Sequence, residues 1–80
     1  MSTLALKLDA HAIDVSIDDN ALHFVLVDGR EISAPLEWFP RLRDASRAQR
    51  LNWRLIGKGV GVHWPEIDED IAVSTLMDSR

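Results

Sequence analysis

The sequence predicts an α+β domain: an antiparallel sheet of about five strands with a broken helical segment packed on one face. Three observations predict it. Apolar residues alternate with period two through residues 12–36, the period lengthens to a helical one after Pro35, and alternation returns from Trp53 onward.

The elements follow in order. Ile13, Val15 and Ile17 alternate with Asp14 and Ser16, the signature of a half-buried strand. Asp18-Asp19-Asn20 is a turn. Leu22, Phe24 and Leu26 alternate with His23, Val25 and Val27, so the second strand is apolar on both faces and belongs in the middle of a sheet. Asp28-Gly29 predicts a two-residue hairpin, since both residues accept positive φ at low cost. Ile32, Ala34 and Leu36 form a third strand, which Pro35 confines to an edge or a strand end. Residues 12–36 therefore read as a three-stranded meander. Leu4, Leu6 and Leu8 alternate as well, and residues 1–10 are either an extra strand or an arm.

Trp38, Leu42 and Ala45 share a helical face, with Pro40 tolerated in the first turn. Ser46-Arg47-Ala48-Gln49 fits a capping box. Two short helices are expected, over about 38–44 and about 47–52, with Arg43, Arg47 and Arg50 toward solvent. Trp53, Leu55 and Ile56 make a fourth strand, Gly57-Lys58-Gly59 a turn, and Val60, Val62 and Trp64 a fifth strand that Pro65 ends. Ile71 and Val73 suit a final short strand, or Ser74 caps a terminal turn carrying Leu76 and Met77. With 80 residues and no repeat or linker, the chain is read as one domain over 1–80.

A domain of this size buries about 60% of its unfolded surface. Without cysteine it has no disulfide to help, so packing around the tryptophans or self-association must. The formal charge of −4 is segregated: residues 1–40 carry seven acids against two bases, 41–58 six bases against one acid, and 59–80 five acids against one base. The acidic total argues against tight nucleic-acid binding, which rests on accumulated Lys and Arg. No signal peptide or membrane span is legible, and a cytoplasmic location is expected.

The chemistry-bearing residues concentrate in the second half. There is no cysteine nucleophile, no Gly-x-Ser-x-Gly elbow and no phosphate loop opening a helix, so no catalytic residue is assigned and the chain is read as not an enzyme. Gly57-x-Gly59-x-Gly61 leads into a strand and reads as a glycine hairpin. His63 with Glu66, Asp68 and Asp70 has metal-ligand chemistry, but crowded surface acids are ordinarily solvated, so neither metal nor cofactor is assigned. Asp68, Glu69 and Asp70 are expected instead to accept from the forked guanidinium of Arg41, Arg50 or Arg54, locking the second half. Trp38, Trp53 and Trp64 are expected mainly in the core, with a partner-binding surface as the alternative.

Asp28-Gly29-Arg30, Pro35-Leu36-x-Trp38-Phe39-Pro40-Arg41-Leu42, Arg50, Trp53 and Gly59-x-Gly61-x-His63-Trp64-Pro65-x-x-Asp68-Glu69-Asp70-Ile71 together resemble the domain of unknown function 2442 family of small bacterial proteins. The resemblance runs from about Ala12 to Met77. One departure is Ser46-Arg47-Ala48, where similar proteins often read Thr-Pro-Glu; Ser46 remains a competent cap. The resemblance implies an α+β domain with no assigned activity. Some relatives carry it ahead of a DNA-binding helix-turn-helix, and others stand alone, some encoded beside toxin-like partners.

Two functions are expected from different classes. The first is a non-catalytic protein-binding or regulatory module, antitoxin-like in its narrowest form, with Trp38, Arg41, Arg50, Trp53, His63, Trp64, Asp68, Glu69 and Asp70 as its partner-binding or structural motif. The alternative is a nucleic-acid-associated regulator whose arginines form a basic helical stripe in a dimer. A homodimer would also cover the strand edges of so small a core. No membrane partner is expected.

Overall fold

The computed structural model describes residues 10–77. It is α+β, with six strands in two three-stranded antiparallel sheets and three short helices among the described residues. The first sheet is the expected meander, β1 (Ala12–Ile17), β2 (Ala21–Leu26) and β3 (Glu31–Pro35), in that order. The second holds β4 (Arg54–Ile56), β5 (Gly61–Trp64) and β6 (Glu69–Ala72), again in chain order. Between them run a 3₁₀ turn at Leu36–Trp38 and helices α1 (Pro40–Arg43) and α2 (Arg47–Leu51), and α3 (Val73–Met77) follows β6.

The expected single sheet of about five strands is therefore corrected to two sheets. Alternation identifies strands but not their neighbours, and the helical segments separate β3 from β4. The sheets meet through a backbone bond outside any ladder, in which Ala12 N–H donates to the Gly59 carbonyl at 2.7 Å. One core joins them. Val15, Leu22, Phe24 and Leu26 from the first sheet cluster with Val62, Trp64 and Ile71 from the second and with Leu36, Leu42, Val73 and Leu76.

The meander shows how local chemistry fixes register. Asp18 Oδ1 accepts from the Asn20 and Ala21 N–H groups, both at 2.7 Å, and Asp18 N–H donates to the Ala21 carbonyl, closing the first hairpin. β2 lies in the middle, as its two apolar faces require. The second hairpin differs from expectation. Leu26 N–H bonds the Arg30 carbonyl, leaving Val27, Asp28 and Gly29 as a three-residue loop in which Gly29 takes φ +95°. In β1 the pairing slips between Ala12 and Asp14, and this bulge turns Ile13 outward, 55% exposed, while Ala12 and Val15 face the core. The expected inward set of Ile13, Val15 and Ile17 is corrected at Ile13.

The helical stretch breaks at Ser46 as expected, and the capping box forms. Ser46 Oγ accepts from Gln49 N–H at 3.1 Å, while Gln49 Oε1 accepts from Ser46 N–H at 2.9 Å. α1 buries Leu42 and α2 buries no residue. Val60 belongs to the β4–β5 turn and is exposed, so the fifth strand is shorter than its alternation suggests. Ile71 lies in β6, whereas Val73 opens α3 and Ser74 sits inside that helix rather than capping it. The expected strand or arm at residues 1–10 lies almost wholly outside the described residues.

Candidate functional site

The three tryptophans have three different environments. Trp64 is fully buried, and its Nε1–H donates to the Arg50 carbonyl at 3.0 Å. Trp53 is partly buried against the core. Trp38 is 54% exposed. The expectation of a mainly core set is thus met by Trp64, partly by Trp53, and corrected at Trp38, which the tight 3₁₀ turn carries outward beside buried Leu36.

The arginines act differently from the predicted carboxylate network. Arg50 was expected toward solvent; its side chain instead folds onto the end of α1, donating from Nε to the Leu42 carbonyl at 3.0 Å and from a terminal nitrogen to the Arg43 carbonyl at 2.8 Å. The last carbonyls of a helix have no intrahelical donor, and a guanidinium fork suits them. Arg41 donates to the main-chain carbonyl of Asp68 at 2.6 Å, not to its carboxylate. Asp68 takes φ 54° in the β5–β6 turn. Arg54 makes no ion pair with the acidic cluster among the described residues. Arg43 lies between Asp44 and Glu37, whose bonds raise its proton affinity, Asp44 foremost, and Arg43 in turn lowers the pKa of Asp44.

Pairing across the second sheet puts Arg54 opposite His63 and His63 opposite Asp70. His63 Nδ1 bonds Asp70 Oδ1. A carboxylate on Nδ1 fixes an imidazole's orientation and leaves Nε2 as the second nitrogen, as in an oriented general base. The neighbouring row on that face is Ile56, Gly61 and Ala72, which supplies no hydroxyl or thiol. Of the four residues weighed as a metal set, His63 and Asp70 stay together, whereas Glu66 accepts from Asn52 at 2.8 Å and Asp68 lies in the β5–β6 turn. Among the described residues, no three His, Cys, Asp or Glu side chains converge as a metal site.

A concavity lies elsewhere, a space of about 390 Å³ between the end of β1 and α2. One wall is Val15 to Asp19, and the other is Arg47, Arg50, Leu51 and Trp53. Its volume falls in the range of roughly 300–1,000 Å³ typical of binding clefts. Leu51 is 70% exposed and shares this lining with Val15, Ile17 and Trp53, so apolar side chains gather there instead of being scattered singly. Arg50 Nη1 stands 3.9 Å from Asp19 Oδ1 across the opening. Arg50 and Trp53 belong to the residues singled out from the sequence. Val15–Asp19 and Leu51 were missed as site residues, and Arg47 was expected only as part of the basic stripe. The legible signal was Leu51 itself, an apolar residue at the end of a short polar helix.

No curated protein and no solved structure matches the chain. A family model matches residues 12–80, nearly all of the sequence. This chain therefore belongs to the family described as protein of unknown function (DUF2442).

Proposed function

We propose that this protein is a non-catalytic protein-binding module and that its partner docks in the cleft between β1 and α2. The observation that carries the reading is Leu51, which stands 70% exposed on the rim of a cleft floored partly by Trp53. Tryptophan and arginine anchors supply much of the binding energy at protein interfaces, and Trp53, Arg47 and Arg50 line this cleft beside Leu51. Among the described residues, the sheet row beside the His63–Asp70 pair holds Ile56, Gly61 and Ala72, which offer that pair no nucleophile to activate.

The test is capture from native-host extract with the wild-type protein and with Leu51→Asp. Leu51 is exposed, so the substitution should alter stability by no more than about 0.5 kcal/mol. A stoichiometric protein retained by the wild type and lost by the variant is the expected result. Equal capture by both, or no stoichiometric partner, overturns the reading. An antitoxin-like role is its narrower form, tested by whether co-expression suppresses the toxicity of a neighbouring gene product.

The nucleic-acid reading has less support. Of its stripe, Arg41 and Arg50 are spent on backbone carbonyls and Arg43 on Asp44 and Glu37, which leaves Arg47 and Arg54. Retardation of DNA or RNA at low salt, fading steeply as salt rises, would restore it.

A further inference from the structure

We infer that the partner enters the cleft as an extended peptide strand, aliphatic at alternate positions with an acidic residue among them, which adds to the free edge of β1. The inference rests on the protein-binding reading above and specifies the chemistry of its occupant.

The register of the first sheet carries it. Asp18 N–H bonds the Ala21 carbonyl, and Val27 N–H bonds the His11 carbonyl. On the other side of β2, Leu26 N–H bonds the Arg30 carbonyl, and Leu36 N–H bonds the Asn20 carbonyl. Antiparallel ladders alternate, so odd-numbered β2 residues bond toward β1 and even-numbered ones toward β3. Given Ser16 opposite His23 and Asp14 opposite Val25, the main-chain groups of Ser16 and Asp14 point into the sheet. Those of Val15 and Ile17 point the other way, to the free edge of β1, and both residues line the cleft. Neither residue has a hydrogen bond on that side among the described residues. Farther along the same edge, Ala12 N–H is already satisfied by Gly59, so the open portion is two donor–acceptor sites long. Two sites spaced by one residue are the repeat that an added strand reads.

Charge selects the occupant. Asp18 is held by His23 and two N–H groups of its turn, and Asp19 faces Arg50. Arg47 is the lining charge without a counter-ion among the described residues. An incoming acid complements it. A second copy of this chain fits worse, because antiparallel self-pairing of β1 centred on Ser16 sets Asp14 of one copy opposite Asp18 of the other, and like charges directly opposite destabilise a sheet.

The test uses the full chain and end-capped heptapeptides alternating valine with threonine, with glutamate or lysine at the centre. Amide resonances of Val15 and Ile17 are followed by NMR. The glutamate peptide is expected to shift both amides and to bind about tenfold more tightly than the lysine peptide, with Arg47→Glu reversing that order. N-methylation of alternate peptide amides is expected to lower affinity about tenfold in one phase and leave it unchanged in the other. The inference is overturned if neither amide shifts at millimolar peptide, or if both methylation phases bind alike. It is overturned in favour of self-pairing if the two amides shift with protein concentration alone. The two readings fail separately: a partner lost on Leu51→Asp without peptide shifts at the β1 edge sinks strand addition only, while capture indifferent to Leu51→Asp sinks the protein-binding reading.

Discussion

Gly59 sits at φ +102° against the backbone of Ala12, and a Cβ placed there would lie 2.2 Å from the Ala12 carbonyl oxygen and 2.9 Å from its nitrogen. Backbone cannot yield as a side-chain tip can, so Gly59→Ala pushes apart the junction between the two sheets. The expected cost is about 3 kcal/mol or more, from left-handed strain and displacement together. Gly29 separates the two contributions, since it has φ +95° and nothing within 4 Å of an added Cβ. Gly29→Ala should cost only about 1–2 kcal/mol, and urea midpoints of the two variants measure the difference. Asp18 offers a second test. The His23 ring, then the Asn20 and Ala21 N–H groups, bond its carboxylate and lower its pKa from the ordinary 3.8 to about 2. A pKa depressed by folding supplies stability that is fully present above the unfolded value and is lost as pH falls through the folded one. The stability gap between wild type and Asp18→Ala should therefore shrink as pH falls between about pH 4 and pH 2. A gap that does not narrow over that window refutes the assignment. Residue-level legibility was uneven for a physical reason. The Ser46–Gln49 reciprocal cap is local and could be read directly, whereas the outward turn of Ile13 depends on a bulge that only pairing with β2 creates.

The helical elements are too short to stand alone: α1 has four residues and α2 five. Arg50 links them to each other and to the second sheet. It belongs to α2, its guanidinium covers the carbonyls of Leu42 and Arg43 at the end of α1, and its own carbonyl accepts from the buried Trp64 ring. Lysine offers a single ammonium where two donors of fixed geometry are used. Arg50→Lys is therefore expected to destabilise by about 1–3 kcal/mol, and a urea midpoint unchanged from wild type would remove Arg50 as the link. Ser46→Ala, which opens only the cap of α2, should cost about 1 kcal/mol. The arginine–carboxylate clasp read from the sequence failed at this scale. Opposite charges in one chain suggest ion pairs, but helix ends and turns expose carbonyls with unmet demand, and Arg41 and Arg50 lie where those carbonyls are. The cleft escaped sequence reading because its walls, Val15–Asp19 and Arg47–Trp53, are separated by the rest of the meander and α1.

At the scale of the whole molecule, two small sheets share one interior. Neither three-stranded sheet holds enough apolar surface to fold alone, and the core interleaves Phe24 and Leu26 of the first with Val62 and Trp64 of the second. Strand alternation made the meander and the later hairpin legible, yet it could not say that the later strands start a second sheet. That choice lies in non-local contacts, chiefly the Ala12–Gly59 junction and the common core. Sharing a core has a thermodynamic consequence: the sheets should unfold together, in one two-state transition. Far-UV ellipticity reports strands and helices of both halves, whereas the Trp64 indole N–H resonance reports its bond to the Arg50 carbonyl in the second half alone. The two urea curves should superimpose. Phe24→Leu leaves a void in the first sheet's share of the core and should lower stability by about 1 kcal/mol or more. Because Phe24 has no part in the second sheet's ladders, a fall in the Trp64 midpoint equal to the fall in ellipticity is the mark of a single cooperative unit. A Trp64 midpoint that stays in place while ellipticity falls in two steps would instead make the sheets separate folding units that merely touch at the Ala12–Gly59 junction.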